Sequence, residues 1–251
     1  MEAATRPVTV GIVGYSGNVG LWDPFMVEAL GEAGNSQLIE EVFVGLDRWE
    51  GELPTLRVGK LPVHVYGVQA KSEKWFGGTA LLNGALERVR TPFLLVLGMD
   101  IFPRGGSLEV LLAAGKKDQM TMGALMECVI PQGAKSSSEF RLGRFDRLAE
   151  VNFEEHKNRC LLARSGFTLY ATEALQGLGG WDEVYARNGY GFEDNDLGAR
   201  WMERYGRDSV QYEEAALAWH VVDARGIKRQ FSVKNQRTFQ ERWLPGGLYD
   251  E

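Results

Sequence analysis

The stretch Glu193-Asp194-Asn195-Asp196 places three carboxylates within four positions, directly behind Tyr190-Gly191-Phe192. A carboxylate held beside apolar rings can take a proton from a hydroxyl, which is general-base chemistry. The same residues also suit a helix start, because acidic side chains in a first turn meet free N–H groups and the positive end of the helix dipole. Leu197, Trp201 and Tyr205 recur every four residues, so the pattern predicts an amphipathic helix over residues 195–205. Capping alone leaves Gly189, Tyr190, Gly191 and Phe192 unaccounted for. It also sets up a conflict: a helix N-terminus lowers a carboxyl pKa and weakens the base, whereas desolvation by neighbouring rings raises it.

A second carboxylate lies where an apolar run, residues 93–98, leads out to Asp100 and then Pro103. Ligands of open α/β sheets bind at the C-terminal ends of the strands. An Asp there can hold a hard divalent cation that leaves positions free for phosphate oxygens. The competing reading is an Asp that caps the turn before Pro103. His220 stands in a strand-like segment, where a lone histidine reads as a structural one. Gly14, Gly17 and Gly20 follow an apolar strand and suggest a dinucleotide loop. Asp23-Pro24 puts the helix start after the last of these glycines, and Asp47 lies too far along to hold a ribose in that motif. An NAD(P)-binding Rossmann enzyme is therefore a minor alternative.

The elements that must carry these groups alternate in the first half. Strands are expected at residues 8–13, 41–46, 63–66 and 93–98, and helices at 25–31, after Asp23-Pro24, and at 79–89. The apolar run 93–98 has the character of a strand buried on both faces of a parallel sheet. Beyond residue 120 the pattern favours strands at 120–130, 141–153, 160–170 and 209–222, a mobile polar loop at 132–139, a short helix at 172–175 and a closing helix in the basic, aromatic tail. This is α/β architecture. The 251 residues, 44% hydrophobic and 25% charged, suffice for a full core. A net charge of −6 argues against partners held by overall charge, such as nucleic acid or anionic lipid. Cys128 and Cys160 read as buried, inert thiols of a reducing compartment. No apolar signal core opens the chain and the run 93–97 is too short to span a bilayer, so a cytoplasmic protein without a membrane span is expected.

Asn83-Gly84-Ala85 ahead of Leu97-Gly98-Met99-Asp100-Ile101-Phe102-Pro103 resembles the nucleotide-sugar half of GT-A glycosyltransferases, where a helix carrying Asn precedes a strand ending in Asp-x-Asp. Gly179-Gly180-Trp181-Asp182-Glu183 and Tyr190-Gly191-Phe192-Glu193-Asp194-Asn195-Asp196-Leu197 resemble the acceptor half of family-2-like and galactosyltransferase-type members. The resemblance implies a single Rossmann-like GT-A domain over 1–251, with a mixed, mainly parallel sheet flanked by helices. Residues 1–119 would form about the nucleotide-sugar half and 120–251 the acceptor half. It implies a hexosyltransferase using a UDP- or GDP-linked sugar, with Mn2+ or Mg2+ at Asp100 and His220. Tyr15, Ser16, Asp47, Asn83, Met99 and Asp100 would meet the donor, and Arg164 with Lys234 or Arg237 its diphosphate. Trp181, Asp182, Tyr190, Gly191 and Phe192 would meet the acceptor, a small molecule, glycan, protein or nucleic-acid hydroxyl. Asp194, with Glu193 beside it, would be the base of an inverting displacement. One departure stands out: the first Asp of Asp-x-Asp falls on Gly98. Donor identity and metal affinity depend on that position, and its loss opens the alternative of an inactive sugar- or nucleotide-binding protein.

Overall fold

The structure is a computed structural model that describes residues 7–32, 34–69, 71, 75–145, 151–152, 154–155, 158–221 and 232–243. Among the described residues the centre is one nine-stranded sheet. The first four strands, β1 (Val8–Tyr15), β2 (Ile39–Asp47), β3 (Val63–Val68) and β4 (Phe93–Gly98), lie in the order β3-β2-β1-β4 and run parallel. The remaining strands are β5 (Ile101–Pro103), β6 (Met120–Val129), β7 (Arg141–Phe145), β8 (Phe167–Ala171) and β9 (Val210–Val221). The sheet continues from β4 through β8, β6 and β9 to β5, with β7 paired to the far end of β6. β8 is antiparallel to β4, whereas β6 and β9 are parallel to each other. The sheet is therefore mixed and runs through both halves of the chain.

The helices are α1 (Val27–Gly31), α2 (Gly78–Arg88), α3 (Ser107–Ala114), α4 (Thr172–Gly177), α5 (Glu193–Tyr205) and α6 (Val233–Trp243). They explain why β4 is apolar throughout. Leu95 and Leu97 pack into a core with Trp22, Phe25 and Met26, while Leu94 and Val96 pack into a second core with Leu82, Leu86 and Trp201. Alternate side chains thus bury on opposite faces. The stripe expected on α5 is also present, with Leu197 and Trp201 in the second core and Tyr205 packed against it.

Several expectations need correction. The helix expected from residue 25 begins instead with a wide π-type turn, Trp22–Met26, and turns α-helical only at Val27. The strand expected at 160–170 starts at Phe167, because residues 160–165 bond to α5 rather than to a neighbouring strand: Asn195 Nδ2 donates to the Cys160, Leu161 and Ala163 carbonyls. β7 ends at Phe145, and residues 146–150 and 153 of the strand expected at 141–153 lie outside the described residues. β5 and α3 were not expected, since three residues are too few to show a period and Gly105-Gly106 reads as a turn. The serine run in the loop 132–139 is fastened rather than mobile. Ser136 Oγ, Ser137 N–H and Ser137 Oγ all donate to the Glu28 carboxylate, at 3.0, 2.8 and 3.1 Å. Cys128 and Cys160 are free and buried, and burial pushes both thiols up, Cys128 to about 12. No helix among the described residues is long and apolar enough to cross a membrane.

Candidate active site

β1, β2 and β4 end together. Tyr15 pairs in register with Asp47, and Val13 with Gly98. Asp47, only 2% exposed, turns its carboxylate toward Gly77 at the start of α2, where a side chain on that glycine would collide with it. Ser16 opens a 3-10 turn, Ser16–Leu21, so no α-helix begins at the glycine loop to receive a pyrophosphate. Met99 continues the pairing through its N–H, which donates to Val13 O at 2.9 Å, but its side chain is fully buried against Gly14. The Met99 side chain is therefore closed off from the sheet edge, contrary to the contact expected of it.

Asp100 and His220 come to neighbouring positions on paired backbones. Ile101 pairs with His220, and Val221 N–H donates to Asp100 O at 2.9 Å. Among the described residues no group of three or more His, Cys, Asp or Glu side chains is placed to hold a metal ion. Backbone pairing thus brings one carboxylate and one imidazole to adjacent positions, both of them ligand types that divalent ions accept. Gly98 has a local reason to be glycine, because a Cβ there would lie 2.6 Å from Asp100 Oδ1. The space of the first carboxylate of an Asp-x-Asp is occupied by the second.

The carboxylates that are adjacent in sequence part company in space. Gly98 N–H donates to Gly166 O at 3.3 Å, which puts the segment before β8 beside the end of β4. The next residue back, Ser165, donates its N–H to Asp194 Oδ2 at 2.9 Å and its hydroxyl to Asp194 Oδ1. Burial raises the Asp194 carboxyl above its ordinary value, although the Ser165 hydroxyl and N–H, Trp181 and the Arg164 charge oppose it. Desolvation thus prevails over the stabilising hydrogen bonds and charge around the carboxylate. Glu193, 5% exposed, sits one residue earlier in the first turn of α5 and adds its charge to the surroundings of Tyr170. Arg164 Nη2 donates to Gly123 O at 2.6 Å, at the bulge between β6 and β9.

Asp196 points the other way and is fully buried. It accepts from Arg200 Nε and Arg242 Nη1 at 2.8 Å, Trp243 Nε1 at 2.8 Å and Tyr185 Oη at 3.2 Å, which ties α6 to α5. Asn235 Nδ2, on the buried side of α6, bonds the carbonyls of Tyr185, Gly189 and Gly191. These carbonyls can be reached because Gly189 and Gly191 both adopt φ +109°. Phe192 follows at φ +72°, an outlier for a bulky side chain of the kind that concentrates at functional sites.

The expected acceptor residues divide. Tyr190, edge-on to Phe76, and Phe192, against Phe239, are both partly exposed. Trp181 is 1% exposed, so its ring belongs to the core and has no face open to a sugar. Asp182 accepts from Val184 N–H and from Arg242, both at 2.9 Å. Burial works against its charge, but these donors outweigh it and hold the carboxyl below its usual value. Asn83 has both ends of its amide on the Trp181 backbone, at 2.8 and 2.9 Å, and so fastens α2 to the loop that follows α4. Lys234 and Arg237 lie exposed on α6. The sequence reading missed Ser165, Asp196 as a hub and Asn235. Ser165 carried no signal, whereas an Asp four residues before Arg200 did.

No protein-family model matches the chain, and no curated protein sequence does. Solved structures match it with high probability. GalNAc-T7, crystallised with UDP, GalNAc and Mn2+, superposes with a TM-score of 0.63 at 12% identity, over 95% of this chain and 48% of that one. TarS of S. aureus, residues 1–349 in complex with UDP, gives a TM-score of 0.58 at 15% identity, over 86% and 60%. The chain has the fold of the GT-A glycosyltransferases, an α/β architecture around a mixed sheet. It spans about half the length of one of these neighbours and three-fifths of the other.

Proposed function

We propose that the protein transfers a hexose from a nucleoside-diphosphate donor to an acceptor hydroxyl, with inversion and with Asp194 as the base. One observation carries this reading: Asp194 is tied to Ser165, one residue from the Gly166 carbonyl that meets Gly98, two residues from Asp100. On this reading the proton acceptor and the donor edge would share one end of the sheet. The UDP bound by both neighbours supports a uridine nucleotide donor, and GDP remains the second candidate.

The nucleoside would lie across the ends of β1 and β2, at Tyr15, Ser16 and Asp47, and the diphosphate over Gly98–Asp100. Mn2+ or Mg2+, held by Asp100 and His220, would neutralise the departing diphosphate; Mn2+ accompanies UDP in GalNAc-T7. Arg164 brings a fixed positive charge to the same edge, with Lys234 or Arg237 as further candidates. The acceptor would rest against Tyr190, Gly191 and Phe192, with Asp182 and Glu193 near its hydroxyls. Asp194 takes the proton as the acceptor oxygen attacks the anomeric carbon opposite the leaving group. Its raised proton affinity suits it to that step, and general-base help of this kind contributes roughly 10²–10⁴-fold in rate. The one sheet runs through both halves of the chain, so 1–251 would form a single domain.

A second reading, a sugar- or nucleotide-binding protein without turnover, draws on Gly98. The two separate in one experiment. Wild-type and D194N protein are screened for thermal shift with UDP- and GDP-sugars and with NAD(P), with and without Mn2+, and then for release of nucleoside diphosphate. The transferase reading expects both proteins to shift with one donor and only the wild type to turn it over. No shift with any sugar nucleotide, or a shift with NAD(P) alone, would overturn it.

A further inference from the structure

Asp194 is held by an assembly that no motif announced. Ser165, 7% exposed, lies between the carboxylate and two aromatic partners: Trp181 Nε1 donates to Ser165 Oγ at 3.1 Å, and Tyr170 Oη lies 2.8 Å from the same oxygen. A serine hydroxyl has one proton and two acceptor positions, and an indole N–H can only donate. Trp181 therefore fills one acceptor position. With Asp194 ionised, the serine proton goes to Oδ1 and Tyr170 donates to the second position, which gives every side-chain donor of the cluster an acceptor. The serine N–H on Oδ2 completes a two-point grip that an ionised carboxylate accepts on both oxygens. A protonated carboxyl could keep that grip only if the Ser165 and Tyr170 hydroxyls both turned round.

We propose that Ser165 is the positioning residue of Asp194, its hydroxyl and N–H aiming the carboxylate at the sheet edge and stabilising its proton-accepting form, with Tyr170 and Trp181 keeping the serine proton directed at it. The functional consequence rests on the base role proposed above; the hydrogen-bond assignment does not. Burial alone would leave Asp194 protonated over a wider pH range, and the serine offsets part of that. The other groups facing the carboxylate are accounted for. Arg164, in the same segment as Ser165, favours the charge. Tyr170 on β8, itself pushed up by burial and by Asp194, stays neutral, and Glu193 on α5 adds negative charge to the cluster. When Asp194 receives the acceptor proton, the Ser165 and Tyr170 hydroxyls must both turn round, so the cluster as built favours the ionised base.

The test reads the carboxyl itself. Protein carrying carboxyl-13C aspartate is titrated by NMR, and the Asp194 resonance is assigned by its loss in D194N. In S165A the midpoint should rise by about one pH unit, because a charge-assisted donor is gone. Ser165→Cys, which fills the same volume with a weak donor, should rise by less and covers the case in which S165A does not fold. Ser165→Thr, which retains the hydroxyl, should restore the wild-type midpoint. A midpoint that stays put or falls in S165A or S165C overturns the proposal, since it would mean that the hydroxyl serves the protonated acid. The acid limb of kcat/KM for transfer should move with the midpoint. A shifted midpoint in a protein without transferase activity would uphold the hydrogen-bond assignment and refute the base role.

Discussion

Asp194 and Asp196 are two residues apart, and their exchanges to Asn should have opposite consequences. Asp196 is fully buried and takes hydrogen bonds from Arg200, Arg242, Trp243 and Tyr185. An amide there turns a donor toward one of two guanidinium groups and removes the charge that both face. Removing one partner of a buried ion pair costs roughly 3–5 kcal/mol. In a chain of this length that lowers Tm by roughly 6–20 °C. Asp194 differs because its folded pKa is raised. The stabilisation linked to its proton is complete below the ordinary carboxyl value and is lost as pH rises through the elevated one. At neutral pH the buried charge therefore works against the fold, and D194N removes it. D194N should melt at or above the wild-type temperature at pH 7.5, with that margin shrinking toward acid pH, while transfer falls by roughly 10²–10⁴-fold. Differential scanning calorimetry from pH 4 to 8, paired with nucleoside-diphosphate release, measures both quantities. The reasoning fails if D194N melts as far below wild type as D196N, or if D196N loses turnover with no loss of Tm.

The remaining predictions concern the same machinery. The acid limb of the wild-type kcat/KM profile should lie above the ordinary aspartate range, and a limb at or below it would remove Asp194 as the titrating base. Gly98→Ala places a Cβ against Asp100 Oδ1, so the extra thermal shift that Mn2+ gives in the presence of UDP should shrink while the metal-free shift with UDP is retained; an unchanged Mn2+ response would detach Asp100 from the metal. Asn235→Ala leaves the Tyr185, Gly189 and Gly191 carbonyls without their shared donor, a loss of roughly 1–3 kcal/mol visible as a lower Tm, and a neutral result would show that α6 is held elsewhere.

The parallel half of the fold was legible because its signals are local. The apolar run 93–98 is a strand with those bounds, and the four-residue stripe of α5 buries Leu197 and Trp201 as its period requires. The segment 160–166 was not legible, since its backbone is satisfied by Asn195 and Asp194 from a helix about 30 residues away, and no window of sequence reports that. The site divides along the same line. The cluster Glu193–Asp196 announced itself by composition, but which carboxylate meets the sheet edge and which clamps α6 depends on the direction each points around a helix. Trp181 misled because an aromatic residue beside glycines resembles a sugar platform until its ring is found in the core. Ser165 gave no signal because one serine before a strand is common, and its meaning comes only from what lies opposite it.

The account places a donor diphosphate and a proton acceptor at one end of one sheet, and a crystal grown with UDP and Mn2+, with data collected at the manganese absorption edge, tests that most directly. The expected anomalous peak lies about 2 Å from an Asp100 oxygen and next to His220, with the outer phosphate of UDP on the Asp194 side. A manganese peak away from Asp100, or a nucleotide at the opposite end of the strands, where Arg90 precedes β4 and Lys117 precedes β6, would contradict it.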